Sequence, residues 1–151
     1  MTQGLRGVGG WLMFLILSLT VFGPLAALFT LVFIFTATAL APTLPSSFVS
    51  YAIVEALVVV PYAVWGITIG VKLWKLRPNA VKSAKQFLTS GTIPFVVIVN
   101  LLPWILLSPE LRTNQSGPNT VGSIIGGLGA ALAWNAYLKK SRRVANTYPQ
   151  G

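Results

Sequence analysis

The stretch FVSYAIVEALVVVPYAVWGITIGV runs from Phe48 to Val71, and Lys72 follows it directly. It contains one acid, Glu55, and no Lys or Arg. Wound as an α-helix at ~1.5 Å per residue it is about 36 Å long, enough to cross a hydrocarbon core about 30 Å thick. This stretch is therefore read as a membrane span. Outward from it lie three more stretches of the same character, at about 11–40, 87–107 and 120–138, and none of them contains a Lys or Arg.

The composition agrees. Of 151 residues, 54% are hydrophobic and 9% charged, whereas a soluble domain carries about 25% charged residues. Too few polar groups exist to cover a soluble surface, and the chain is far too apolar for disorder. The expected fold is all-α: a single domain over 1–151, an integral membrane bundle of four transmembrane helices.

The first stretch is too long for one perpendicular crossing. Thirty residues at ~1.5 Å rise cover about 45 Å. Tilt, a kink at Gly23-Pro24, or a last turn projecting past the bilayer would each accommodate it, and the composition favours the last two. Its length also exceeds the ~7–15 apolar residues of a signal peptide, so it is read as a retained span.

The connections differ in kind. Residues 41–47 contain Pro42 and Pro45 and no charge, as suits a short loop between antiparallel helices. The 72–85 connection holds Lys72, Lys75, Arg77, Lys82 and Lys85. Pro78 is expected to end the second helix and Asn79 to cap a short new one. The 108–118 segment is polar, and the 139–151 tail begins Lys139-Lys140-Ser141-Arg142-Arg143.

With four spans, the N-terminus, the 72–85 connection and the tail share one side. That side holds ten of the eleven basic residues, and Arg112 alone lies on the other. The positive-inside rule then puts both termini in the cytoplasm. Trp11, Trp74 and Trp134 fall near that interface and Trp104 near the outer one, with Tyr51 and Tyr137 joining an aromatic belt.

Much chemistry is excluded. The chain has no Cys and no His, and its two acids, Glu55 and Glu110, lie in different segments. No catalytic residue, metal site or cofactor is expected, and the chain is read as non-enzymatic. The net charge of +9 flanks apolar stretches, which points to a bilayer with anionic headgroups rather than to nucleic acid.

Both ends of the chain carry distinctive wording. The start reads Gly9-Gly10-Trp11-Leu12. The tail places Trp134, Tyr137, Ser141, Arg143, Val144, Thr147 and Tyr148 in the order Trp-x-x-Tyr-x-x-x-Ser-x-Arg-Val-x-x-Thr-aromatic. With four spans and an acid early in the second, this resembles the bacterial inner-membrane family known as domain of unknown function 2569. The resemblance implies a multi-pass location in the bacterial inner membrane and little else, since the family brings no established activity with it.

Candidate functional residues are few. Glu55 is an ionisable group inside a span, either locking helices or handling protons or a ligand. Asn100 lies in the outer half of the third span, where it could hydrogen-bond Glu55 or its own backbone. Pro24, Pro61 and Pro94 interrupt spans, as packed kinks or as openings for an ion. Gly122, Gly126 and Ala130 repeat at intervals of four, with Gly127 beside them, as a helix-packing face within this bundle or toward a partner. In the tail, Lys139, Arg142, Arg143 and Asn146 share one helical face and Val144, Ala145 and Tyr148 the other. This suits a basic anchor or a helix lying on the membrane surface.

Two functional classes stay open. One is an accessory or scaffold subunit that associates with lipids, a membrane-protein partner or a second copy. The other is a small proton-coupled transporter built around Glu55. A carboxylate that faces lipid or snorkels favours the first, and one in a polar cavity favours the second.

Overall fold

The computed structural model describes residues 7–40, 45–112 and 118–148. The described residues are helical with no strand. In chain order the helices are α1 (Trp11–Leu17), α2 (Gly23–Leu40), α3 (Ser46–Trp74), α4 (Ala80–Gln86), α5 (Ile93–Leu106), α6 (Pro118–Lys140) and α7 (Arg142–Thr147). A π-helical segment, Ser18–Phe22, joins α1 to α2, and a second, Phe87–Thr92, joins α4 to α5. Four helical stretches are long and apolar enough to cross a membrane: Trp11–Ala39, Ser46–Trp74, Ala80–Leu106 and Thr120–Lys140.

The two π-helical segments share a cause. Each ends two residues before a proline, Pro24 or Pro94. Proline has no N–H, and its ring collides with the carbonyl four residues back. One extra residue per turn moves that carbonyl aside, and the backbone bonds re-form at longer spacing. Thus the Gly23 N–H donates to the Ser18 carbonyl, five residues earlier. The first span therefore passes Gly23-Pro24 with a widened turn and no break, which shortens it by only one residue's rise, ~1.5 Å. Pro61 sits inside α3 without such a segment.

The second helix ends differently from the sequence expectation. α3 runs on to Trp74, and Leu76 then turns the chain with φ 51°. Asn79, at φ 61°, makes no side-chain cap; its carbonyl accepts from Ser83 N instead. A left-handed Asn starts α4 through its backbone, which frees the side chain from the capping role. The third span accordingly begins at Ala80, seven residues ahead of its apolar stretch at 87.

α3 is the central helix. It packs along the first span on one side and along the third span on the other. α6 packs on the third span, against α5, the Phe87–Thr92 segment and α4. The spans thus lie in the order first, second, third, fourth. The tight core sits at the end that carries the basic residues. There Leu12, Leu15 and Ile16 meet Leu73, Val81, Phe87 and Leu138.

Candidate functional site

α3 turns Glu55, Val59, Tyr62, Ala63 and Gly66 toward a single cavity of about 360 Å³. Their spacing of four, three, one and three residues makes one helical stripe. The opposite walls come from the first span, including Ser18, Pro24, Ala27 and Thr30, and from the third span, through Phe87, Phe95 and Val99. The volume exists because small residues line it on both helices: Gly23, Ala26 and Ala27 face Ala63 and Gly66.

Glu55 is 6% exposed and is the one charged residue in this lining. The Tyr51 hydroxyl, one turn earlier on α3, lies beside its carboxyl group. The other polar groups around the cavity are committed elsewhere. Ser18 Oγ donates to Phe14 O at 2.8 Å and Thr30 Oγ1 to Ala26 O at 3.1 Å. Tyr62 Oη and Thr92 Oγ1 are 3.0 Å apart and share a hydrogen bond. The Tyr62 ring stacks on Phe95, with centroids 3.7 Å apart and 6° between planes, and lies 5.0 Å from Phe87.

Asn100 does not join Glu55. Its amide donates to Val96 O at 2.8 Å, on its own helix, and it does not line the cavity. The reason is local: an Asn in a helix reaches the carbonyl four residues back, which the third span always presents. Tyr51 takes the role that the sequence reading offered to Asn100. Its position four residues before Glu55 was the available signal, and Tyr62, seven residues after, carried the helical spacing of the cavity wall.

The small-residue face of α6 divides. A Cβ on Gly127 would meet Val96 at 2.8 Å, so this glycine permits close packing on the third span. Gly122, Gly126 and Gly129 have nothing within 4 Å, and Ala130 is exposed. Packing inside the bundle therefore explains Gly127 and not Gly122, Gly126 or Ala130. Deeper on the inward face, Asn135 is 7% exposed and its Oδ1 has no hydrogen-bond partner among the described residues.

The tail folds back onto the protein. Ser141 Oγ accepts from Val144 N at 3.4 Å and caps α7. Val144 and Tyr148 are 3% and 7% exposed, within the core at the basic end. The Tyr148 hydroxyl donates to Leu73 O near the end of α3. Burial pushes that hydroxyl up to about 12 from its ordinary 10.0. Gly7 N donates to Thr147 Oγ1 at 3.0 Å. Arg143 lies so close to Gly9 that a Cβ there would be 2.5 Å from its Nη1, and Gly10 turns at φ 57° to begin α1. Trp134 packs on Trp11 and Phe14, at centroid distances of 6.2 and 6.0 Å, and on Tyr137 at 5.8 Å. Of the two readings of the tail, a helix lying on the bilayer through Val144 and Tyr148 does not fit, because protein covers both, and the basic anchor stays open. Ala145 and Arg142 are exposed. Six residues make too short a helix to lie amphipathically on a membrane, and the bundle offers the nearer apolar surface.

The opening and the tail, far apart in sequence, thus form one clasp. A family profile described as "Protein of unknown function (DUF2569)" matches residues 5–149. The chain belongs to the DUF2569 family. No curated protein and no solved structure matches it. The residues whose wording announced DUF2569 are the ones that touch in the clasp. Gly9 and Gly10 meet Arg143, Gly7 meets Thr147, and Trp11 meets Trp134. In this DUF2569 protein that wording is accounted for by packing. The Glu55 cavity is a separate feature, formed where α3 lies along the start of α2 and the π-helical segment ahead of it.

Proposed function

We propose that the protein is a multi-pass membrane protein of the bacterial inner membrane, termini in the cytoplasm, whose working site is the Glu55 cavity. In this reading it is a small transporter that exchanges a proton on Glu55 for a ligand. The observation that carries the reading is a carboxyl group 6% exposed inside a cavity of about 360 Å³ walled by three spans. An acid kept only to lock helices is best satisfied by a partner on a neighbouring helix. Here the hydroxyl beside it, Tyr51, is on its own helix, and its cavity side is open. An ionised carboxylate inside a membrane costs several kcal/mol unless solvated or paired. A site that alternately holds a proton and a ligand meets that condition in both states. The reading assigns no catalytic residue, metal or cofactor.

The test is labelling with dicyclohexylcarbodiimide, an apolar reagent that attacks protonated carboxyl groups from within the membrane. The protein in micelles should be modified at Glu55, more slowly as pH rises, and Glu55→Gln should remove that adduct in mass spectra. Labelling at Glu55 only after unfolding would refute a ligand-accessible cavity.

A second reading, an accessory subunit that docks on a membrane partner or a second copy, is favoured by the uncovered face of α6 at Gly122, Gly126 and Ala130. It does not compete for the same residues. The basic end, with Lys72, Lys139 and Arg142, would meet anionic headgroups in either case, each group worth about 1 kcal/mol near the surface.

A further inference from the structure

The lining chemistry of the cavity narrows what it can hold. Glu55 is its one charge, and it is negative. A neutral polar ligand such as a sugar needs many free hydrogen-bonding groups. The hydroxyl protons of Ser18 and Thr30 are spent on their own helices and Tyr62 is paired with Thr92, which leaves a few acceptor lone pairs and too few donors for a sugar. A bare metal ion needs several oxygen ligands around it, and no group of three or more His, Cys, Asp or Glu that could hold one occurs among the described residues. An anion would face Glu55 with no Lys or Arg in the lining to offset it. What remains is a body that is apolar over most of its surface and carries one positive charge.

The aromatic wall supports the same class. The Tyr62 ring stacks on Phe95 and lies close to Phe87, seven residues along α3 from Glu55. That is two helical turns, about 10 Å at ~1.5 Å per residue. At that distance the rings do not reach the charge; they offer apolar and aromatic area against which a ligand's ring can pack. A volume of about 360 Å³ lies at the low end of small-molecule pockets, about 300–1,000 Å³.

We infer that the cavity binds a small lipophilic monocation, such as an aromatic quaternary amine, with its charge at Glu55 and its apolar body along Val59, Tyr62 and Phe95. This deepens the proposed function and rests on Glu55 being reachable in the folded protein. Each cation that enters displaces one proton from Glu55, so the exchange conserves charge in the cavity.

The experiment compares benzyltrimethylammonium with its neutral isostere neopentylbenzene on the full-length protein in micelles. The readouts are protection of Glu55 from carbodiimide and proton release in weak buffer. The cation should slow labelling about tenfold more than the isostere does, equivalent to about 1.4 kcal/mol. It should release protons from the wild type and none from Glu55→Gln. Equal protection by both compounds, or protection by neither while Glu55 is still labelled, would overturn the cation assignment and leave the accessible cavity standing. Absence of Glu55 labelling in the folded protein without either compound would overturn the reading beneath it, and the assignment with it.

Discussion

Gly70 lies where α3 crosses the π-helical segment of the first span, one turn from Gly66 at the cavity wall. A Cβ added at Gly70 would overlap Thr20 Cγ2 and lie 3.2 Å from Leu19 Cβ and 3.5 Å from the Ile16 carbonyl oxygen. Thr20 cannot simply turn its methyl away, because its Oγ1 donates to Ile16 O at 2.8 Å. Overpacking a filled site costs about 1–3 kcal/mol, and the Gly70→Ala variant should lose about 2 kcal/mol of stability on that scale. Thr20→Ser deletes Cγ2 and keeps the hydroxyl, so alone it should cost less than about 1 kcal/mol. Combined, the two should recover at least about 1 kcal/mol of the Gly70→Ala loss, with the Leu19 contact accounting for the remainder. The assay is a double-mutant cycle by reversible SDS unfolding in mixed micelles, followed by tryptophan fluorescence. Additivity within about 0.5 kcal/mol would show that Gly70 and Thr20 do not meet, and the placement of the first span against α3 would fall with it.

Tyr148→Phe removes the hydroxyl bond to Leu73 O, but that carbonyl also accepts from Leu76 N at 3.1 Å. The cost should be near about 1 kcal/mol, seen as faster proteolysis of the tail. Because the folded hydroxyl titrates at about 12 and the free one at 10.0, its contribution is complete below pH 10 and is lost as pH rises toward 12. An alkaline step in tail proteolysis should therefore appear in the wild type and vanish in Tyr148→Phe; a step that survives in the variant contradicts the assignment. Gly127→Leu should lower the melting temperature through its clash with Val96, whereas Gly126→Leu should leave the isolated chain unchanged. Equal melting of the two would place α6 in a different rotation. Reporter fusions after Lys85 and after Gly151 should read cytoplasmic and one after Gln115 external, from the ten-to-one charge split. An external signal at Lys85 would reverse the proposed topology.

The family and the number of spans were legible in the chain because they depend on local properties. Apolar length decides whether a helix can cross a bilayer, and each span carries that information within itself. The widened turns were half legible. Pro24 and Pro94 announced disturbed helices, yet proline chemistry alone does not choose between a kink and a π-helical turn; packing on α3 accompanies the π-helical choice. Part of the 41–47 loop and residues 113–117 of the polar 108–118 segment lie outside the described residues.

The candidate site was legible only as a residue. Glu55 stood out because a charge in a span is costly wherever it points. Its neighbours did not stand out, since a side chain's facing depends on which helices pack beside it. Asn100 and Tyr51 offered comparable chemistry, and rotation of the third span left Asn100 on its own backbone while helical geometry brought Tyr51 to the acid. The tail shows the same division. Its sequence showed a helical stretch with a basic face; the break at Ser141 between α6 and α7 came from the structure. Whether Val144 and Tyr148 met lipid or protein was decided by the tertiary structure, because only the folded bundle brings Gly7, Gly9 and Leu73 under α7.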